Sequence, residues 1–143
     1  MLLAVNNYAK KLPSDINILC DVIKDSLKHI REALGITDEC CLFELKVILN
    51  ELLSNAVRHG NKNDKSKYVN LTIIKKGNFL HLTIEDEGQG YNYRELLFRK
   101  MKVDFEDIFS LSETGRGLHI VKNLCDELWF NKQGNRVTVV KRI

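Results

Sequence analysis

From Ile16 to Gly60 apolar residues recur at steps of three and four, and from Val69 to Glu85 the step shortens to two. Two helices followed by a hairpin leave few folds open, because both kinds of element must bury one side against the other. The first helical run carries Ile16, Leu19, Ile23, Leu27, Ile30 and Leu34 on one stripe. It follows the punctuation of Pro13-Ser14-Asp15, with Ser14 as N-cap, and Gly35 stops it. A second helix is expected from Thr37 or Asp38 to Gly60 through Leu42, Leu45, Ile48, Leu49, Leu52, Leu53 and Ala56. It is more apolar than the first and should pack more deeply.

Val69 to Lys75 and Phe79 to Glu85 alternate as strands do, joined by Lys76-Gly77-Asn78. Gly117 to Asp126 reads as a helix, and Glu127 to Asn131 and Arg136 to Arg142 as two closing strands joined by Lys132-Gln133-Gly134-Asn135. Leu2 to Val5 is a short apolar run suited to an edge strand. Tyr91 to Lys100 is weakly helical, and Val103 to Glu113 has no period, which suits a functional loop or lid. The predicted fold is a two-layer α/β sandwich, a mixed but mostly antiparallel sheet covered on one face by helices. At 143 residues the expectation is a single domain over 1–143.

Composition narrows the partners. A hydrophobic share of 44% with 29% charged residues belongs to a globular chain, and the formal net charge of +3 is small. Basic residues occur in short groups, Lys62 to Lys67 and Lys141-Arg142, without the stripe expected of a nucleic-acid surface. No apolar run approaches the ~20 residues of a membrane span, and the first residues lack the pattern of a signal peptide, so a cytoplasmic location is expected. Cys20, Cys40, Cys41 and Cys125 have no zinc spacing and read as reduced, partly buried thiols.

The polar residues set into this frame carry the chemistry. Glu51 and Asn55 lie four apart on the most apolar helix and share one face. Such pairs are common on exposed helices, but here their neighbours are core residues. Asn55 offers the hard oxygen that magnesium prefers, and Glu51, one turn away, suits a general base. Asp86 ends a strand and runs into Gly88 and Gly90. A carboxylate there can accept from an exocyclic amine, and the glycines allow a tight turn beside a flat ring. Thr114, Gly115, Arg116 and Gly117 are expected to open a helix whose free amides make an anion site, with Arg116 adding a phosphate contact. His59 and His119 have no acidic partner at a telling spacing, and Trp129 reads as core or strand surface.

Read together, Glu51-Leu52-Leu53-Ser54-Asn55-Ala56-Val57-Arg58-His59-Gly60-Asn61, Asp86-Glu87-Gly88-Gln89-Gly90 and Gly115-Arg116-Gly117-Leu118 resemble the three boxes of the GHKL nucleotide-binding superfamily. Within it the chain is most similar to the bacterial anti-sigma-factor serine/threonine protein kinases. The resemblance implies a Bergerat-type sandwich binding ATP and Mg2+. It makes Glu51 the catalytic base, Asn55 the magnesium ligand, and Asp86 the reader of the adenine amine in a pocket shaped by Gly88 and Gly90. Thr114, Gly115, Arg116 and Gly117 would lie at the phosphate end. Implied partners are an anti-anti-sigma (STAS-domain) protein, phosphorylated on serine, and a sigma factor held inactive, usually by a homodimer.

Two positions differ from the usual family pattern. Glu113 stands where many relatives have a basic residue, and Asn135 follows Gly134 where relatives often have Thr, with Thr138 the nearest hydroxyl. Two other readings remain beside the kinase: an ATP-binding partner switch without kinase activity, and the catalytic domain of a histidine kinase. Against the latter, no paired long helix with a phospho-acceptor His is evident.

Overall fold

The computed structural model describes residues 7–90 and 113–143, with side chains from 116 onward in the second stretch. Five strands form one sheet: β1 (Asn7–Pro13), β2 (Tyr68–Lys76), β3 (Phe79–Glu85), β4 (Glu127–Phe130) and β5 (Arg136–Arg142), in the order β1-β2-β3-β5-β4. Every pairing among them is antiparallel. Helices α1 (Leu19–Glu32), α2 (Glu39–Asn55) and α3 (Glu113–Leu124) complete the second layer.

Register explains why only one sheet face is apolar. Leu71 lies opposite Ile84 and Ile84 opposite Val137, while Ile73, Leu82 and Val139 form the next row. Alternation then sends Thr72, Thr83 and Thr138 to the other face. The buried rows meet Leu45, Ile48, Leu49, Leu52 and Leu53 of α2 in one core. The predicted two-layer sandwich is the observed one.

Several local expectations shift. The Leu2 to Val5 strand, the Tyr91 to Lys100 helix and the Val103 to Glu113 lid loop fall outside the described residues, except that Glu113 begins α3. The described first strand, Asn7–Pro13, has only Leu12 buried, so its sequence lacks the alternation that marks the others. As an edge strand it needs little apolar surface.

Ser14 is not a helix cap. Its Oγ donates to Lys67 O at 2.7 Å and is 1% exposed, whereas Asp15 caps a short 3-10 turn by accepting from Asn17 N before α1 begins. Asp38 caps α2 by accepting from Cys40 N. That helix stops at Asn55 and passes into a π turn, Ala56–Gly60, in which Asn61 N reaches back to Ala56 O at 2.8 Å. Of the cysteines, Cys41 and Cys125 are partly buried as expected, while Cys20 and Cys40 are exposed. Among the described residues no helix is long and apolar enough to cross a membrane.

Candidate functional site

α2 exposes Glu39, Lys46 and Asn50 but turns Asn55 inward. Leu52 and Leu53 are almost wholly buried, and Asn55 between helix and sheet is 8% exposed. The Asn55 Nδ2 is buried without a hydrogen-bond partner. Native interiors rarely leave a side-chain donor in that state, so this amide is available to a ligand. Glu51, one turn earlier, is half-buried.

Asp86 sits at the end of β3, also 8% exposed. Its N–H donates to Asn135 O at 2.9 Å, its C=O accepts from Asn135 Nδ2 at 3.1 Å, and its Oδ1 accepts from Gly88 N at 2.8 Å. Two glycines make this possible. A Cβ on Gly60 would overlap the Asp86 carboxylate, and one on Gly88 would overlap the Gly60 carbonyl. The π turn at the end of α2 thus brings Gly60 against the carboxylate; such turns are frequent at functional sites. Burial raises the Asp86 pKa above the ordinary carboxylate range, partly opposed by the Gly88 amide.

Asn135 was passed over in the sequence as a departure from the family pattern. Its position is built by the β4–β5 turn, where Asn131 Oδ1 accepts from the amides of Gly134, Asn135 and Arg136 at 2.8, 3.0 and 3.1 Å. Asn131 Nδ2 also donates to Asn135 Oδ1 at 2.7 Å. An Asn beginning a tight turn before Gly is a readable signal for this geometry. Gly90, with φ +94°, lies where a Cβ would overlap the Gln133 carbonyl of the same turn. Thr138 pairs with Thr83 on the sheet face away from the helices, Oγ1 to Oγ1 3.4 Å, so it does not line this site.

The third segment opens a helix, one residue earlier than expected. α3 begins at Glu113, so Thr114 and Gly115 lie in its first turn, where backbone amides have no partner within the helix, while Arg116 and Gly117 follow further in. The side chain of Thr114 lies outside the described residues, as does any contact of Gly115. Gly117 is nonetheless brought into the site. A Cβ there would overlap the Glu51 carboxylate, so the helix tolerates glycine where the candidate base needs room. Arg116 is half-buried, His119 is buried on the same helix, and His59 is exposed.

Two depressions meet at Asn55. One is a narrow cleft with apolar walls from Leu52, Ala56, Ile84, Leu118, Phe130 and Val137 and polar ends at Asp86, Asn55 and Asn135. The other is a groove of about 440 Å3 between α1 and α2, where Glu51, Asn55, Lys46 and Arg58 lie beside Ile16, Leu19, Ile23 and Leu27. Apolar walls with a few convergent polar groups suit the edge of a flat heterocycle, and the charged side chains of the groove suit charged groups attached to it.

A one-sided sheet, an Asn on the covering helix and an Asp-Gly turn at the end of the central strand define a GHKL-type nucleotide-binding domain. Residues 13–141 match the family described as Histidine kinase-like ATPase domain. The anti-sigma F factor of Anoxybacillus flavithermus is 33% identical over 102 residues, 71% of this chain and 68% of that protein. The anti-sigma F factor of Geobacillus stearothermophilus is 32% identical over 108 residues, 73% of this chain and 68% of that protein. The chain belongs to the histidine kinase-like ATPase family, and membership implies that it binds ATP.

Proposed function

We propose that the chain is an ATP-dependent protein serine/threonine kinase that also acts as an anti-sigma factor. In this reading it phosphorylates a serine on a STAS-type anti-anti-sigma protein and sequesters a sigma factor, as a homodimer. The observation that carries the kinase half is the position of Glu51, one turn before the buried, unpartnered Asn55 amide and against Gly117 of α3. A carboxylate placed there suits proton abstraction, which nucleotide binding alone does not require. The names of the relatives support the anti-sigma half.

The residues present suit ATP and a magnesium ion. Asp86 would accept a hydrogen bond from the adenine amine, with Gly88 and Gly90 keeping the ring's edge clear. Asn55 would hold the ion through its side-chain oxygen. Among the described residues there is no cluster of three or more His, Cys, Asp or Glu able to hold a metal. Magnesium tolerates this, since it commonly takes one or two protein oxygens and fills its shell with water and phosphate. Bound Mg-ATP would supply the phosphoryl group and neutralise its developing charge. Glu51 would take the proton from the partner's serine hydroxyl as its oxygen bonds to the γ-phosphorus and the bond from that phosphorus to the leaving ADP oxygen breaks. Thr114, Gly115, Arg116 and Gly117 would serve the phosphate end.

The test is to incubate the protein with ATP, magnesium and STAS-domain candidates and to weigh each candidate. A gain of ~80 Da on one of them, stable to acid as a phosphoserine is, supports the kinase. No gain on any candidate, with ATP bound, would leave a partner switch that does not modify what it holds. An acid-labile gain would point to histidine.

A further inference from the structure

Asn61 and Glu87 belong to the motifs of this chain, yet neither has a role in the proposed chemistry. Asn61 follows the π turn and is 1% exposed. Its Nδ2 donates to Ser14 Oγ at 2.8 Å and to Tyr68 O at 3.0 Å, while its Oδ1 accepts from Glu87 N at 2.8 Å. The Glu87 carboxylate accepts in turn from Tyr68 N. Asn61, Glu87 and Tyr68 therefore form a closed ring of hydrogen bonds, with Ser14 tied to its side. Reversing the Asn61 amide would set its NH2 against the Glu87 N–H, so the ring admits one orientation.

We propose that Asn61, through this ring, is the positioning residue that aims the Asp86 carboxylate and so sets the preference for adenine. The inference rests on the reading of Asp86 as the acceptor for the adenine amine. Its basis is the peptide plane joining Asp86 to Glu87. Asn135 Nδ2 holds the C=O edge of that plane at 3.1 Å and Asn61 Oδ1 holds the N–H edge at 2.8 Å. Gripping both edges fixes the backbone torsion that follows the Asp86 Cα. With the Asp86 N–H also held by Asn135 O, the backbone that carries the side chain is fixed, and Gly88 N, donating to Oδ1 at 2.8 Å, selects the rotamer. Two separate parts of the fold supply the grip, the turn after α2 and the β4–β5 turn. Removing Asn61 frees one edge and strands the Glu87 N–H and the Tyr68 O, while Ser14 Oγ keeps its bond to Lys67 O.

The experiment compares ATP with inosine triphosphate, which carries an oxo group where adenine has its exocyclic amine. Dissociation constants are measured by calorimetry on the full chain for wild type, Asn61→Ala and Glu87→Ala. Wild type should prefer ATP. Asn61→Ala should weaken ATP by about tenfold and leave inosine triphosphate within about twofold, collapsing the preference. Glu87 is exposed, so Glu87→Ala should fold, and losing one link of the ring should lower the preference by about threefold. The double variant should be little worse than Asn61→Ala alone, since both act through one ring. An equal loss for both nucleotides would mark Asn61 as merely structural and overturn the inference. So would an unchanged preference in folded Glu87→Ala, which carries the test if Asn61→Ala does not fold. Equal affinities in the wild type would instead overturn the reading of Asp86, and this inference with it.

Discussion

The Asp86 carboxylate lies so close to Gly60 that no side chain fits between them: a Cβ on Gly60 would overlap both carboxylate oxygens. One comes from the end of a strand and the other from the π turn that ends α2. The contact joins the two layers of the sandwich at the proposed base-binding end.

Gly60→Ala should therefore be costly in two ways. Forcing a methyl into this contact should destabilise the fold by about 1–3 kcal/mol, read as a lower urea midpoint. It should also displace Asp86 and weaken ATP by about tenfold or more. Wild-type ATP affinity in this variant would show that the contact does not shape the site.

Asp86 gives a pH dependence with a definite sign. Its pKa is raised by burial, so the free folded protein holds the proton to higher pH than the unfolded chain does. The fold then loses stability as pH rises through the ordinary carboxylate range to the raised value, and the loss persists above it. Asp86→Asn should consequently unfold at higher urea than wild type at about pH 8, with the gain vanishing at about pH 3. ATP binding should run the other way: wild-type affinity should drop as pH falls through the raised pKa, a step that Asp86→Asn lacks. Urea melts and ATP titrations across this range check both.

Asn131 accepts from three successive turn amides and so builds the platform for Asn135. Asn131→Ala should cost about 1–3 kcal/mol by leaving the Asn135 and Arg136 amides without that acceptor, while Gly134 N keeps the Asn131 carbonyl. Because Asn135 holds Asp86, ATP affinity should fall with it. A loss of stability with unchanged affinity would separate the turn from the site.

Lys141 lies on the core side of β5 and reaches Glu44 Oε2 at 2.5 Å and Leu124 O at 2.7 Å, tying α2 to the end of α3. Its side chain is 9% exposed and that of Glu44 is 39% exposed. Removing the acid strands a buried cation, whereas replacing the lysine by an apolar chain does not. Glu44→Ala should cost about 1–3 kcal/mol, moderated by the exposure of the acid, and Lys141→Met under about 1 kcal/mol. Thermal melts that rank the two variants the other way would contradict this.

Much of the architecture was legible because it rests on period. Leu71, Ile73, Leu82 and Ile84 alternate, and Leu45, Ile48, Leu49 and Leu52 step by three and four, so strand and helix are written in the spacing. β1 was not, since an edge strand needs only Leu12 inside. The turn after α2 escaped for a different reason: nothing in Ala56 to Gly60 marks a π turn, which is chosen by packing against Asp86. Ser14 looked like a cap because caps and buried hydroxyls share a residue type, and its choice of Lys67 O is a tertiary one. Within the site, Glu51, Asn55 and Asp86 were readable as isolated polar residues in apolar or strand-end settings. Asn131 was readable as a turn former before Gly134, but its service to the site, like that of Asn135 and Asn61, was not, since an asparagine in a turn looks alike whether it serves the turn or its neighbour. Gly117 looks like part of a helix-opening turn, whereas its glycine is required because the Glu51 carboxylate occupies the space a side chain would take.

Glu51→Gln most directly tests the claim that this site transfers phosphate. Glutamine keeps the size of the side chain beside Gly117 and removes its ability to take a proton. With ATP, magnesium and a serine-bearing STAS-domain partner that the wild type phosphorylates, the variant should bind ATP within about threefold of wild type and transfer at least about a hundredfold more slowly. Transfer at the wild-type rate would contradict the account.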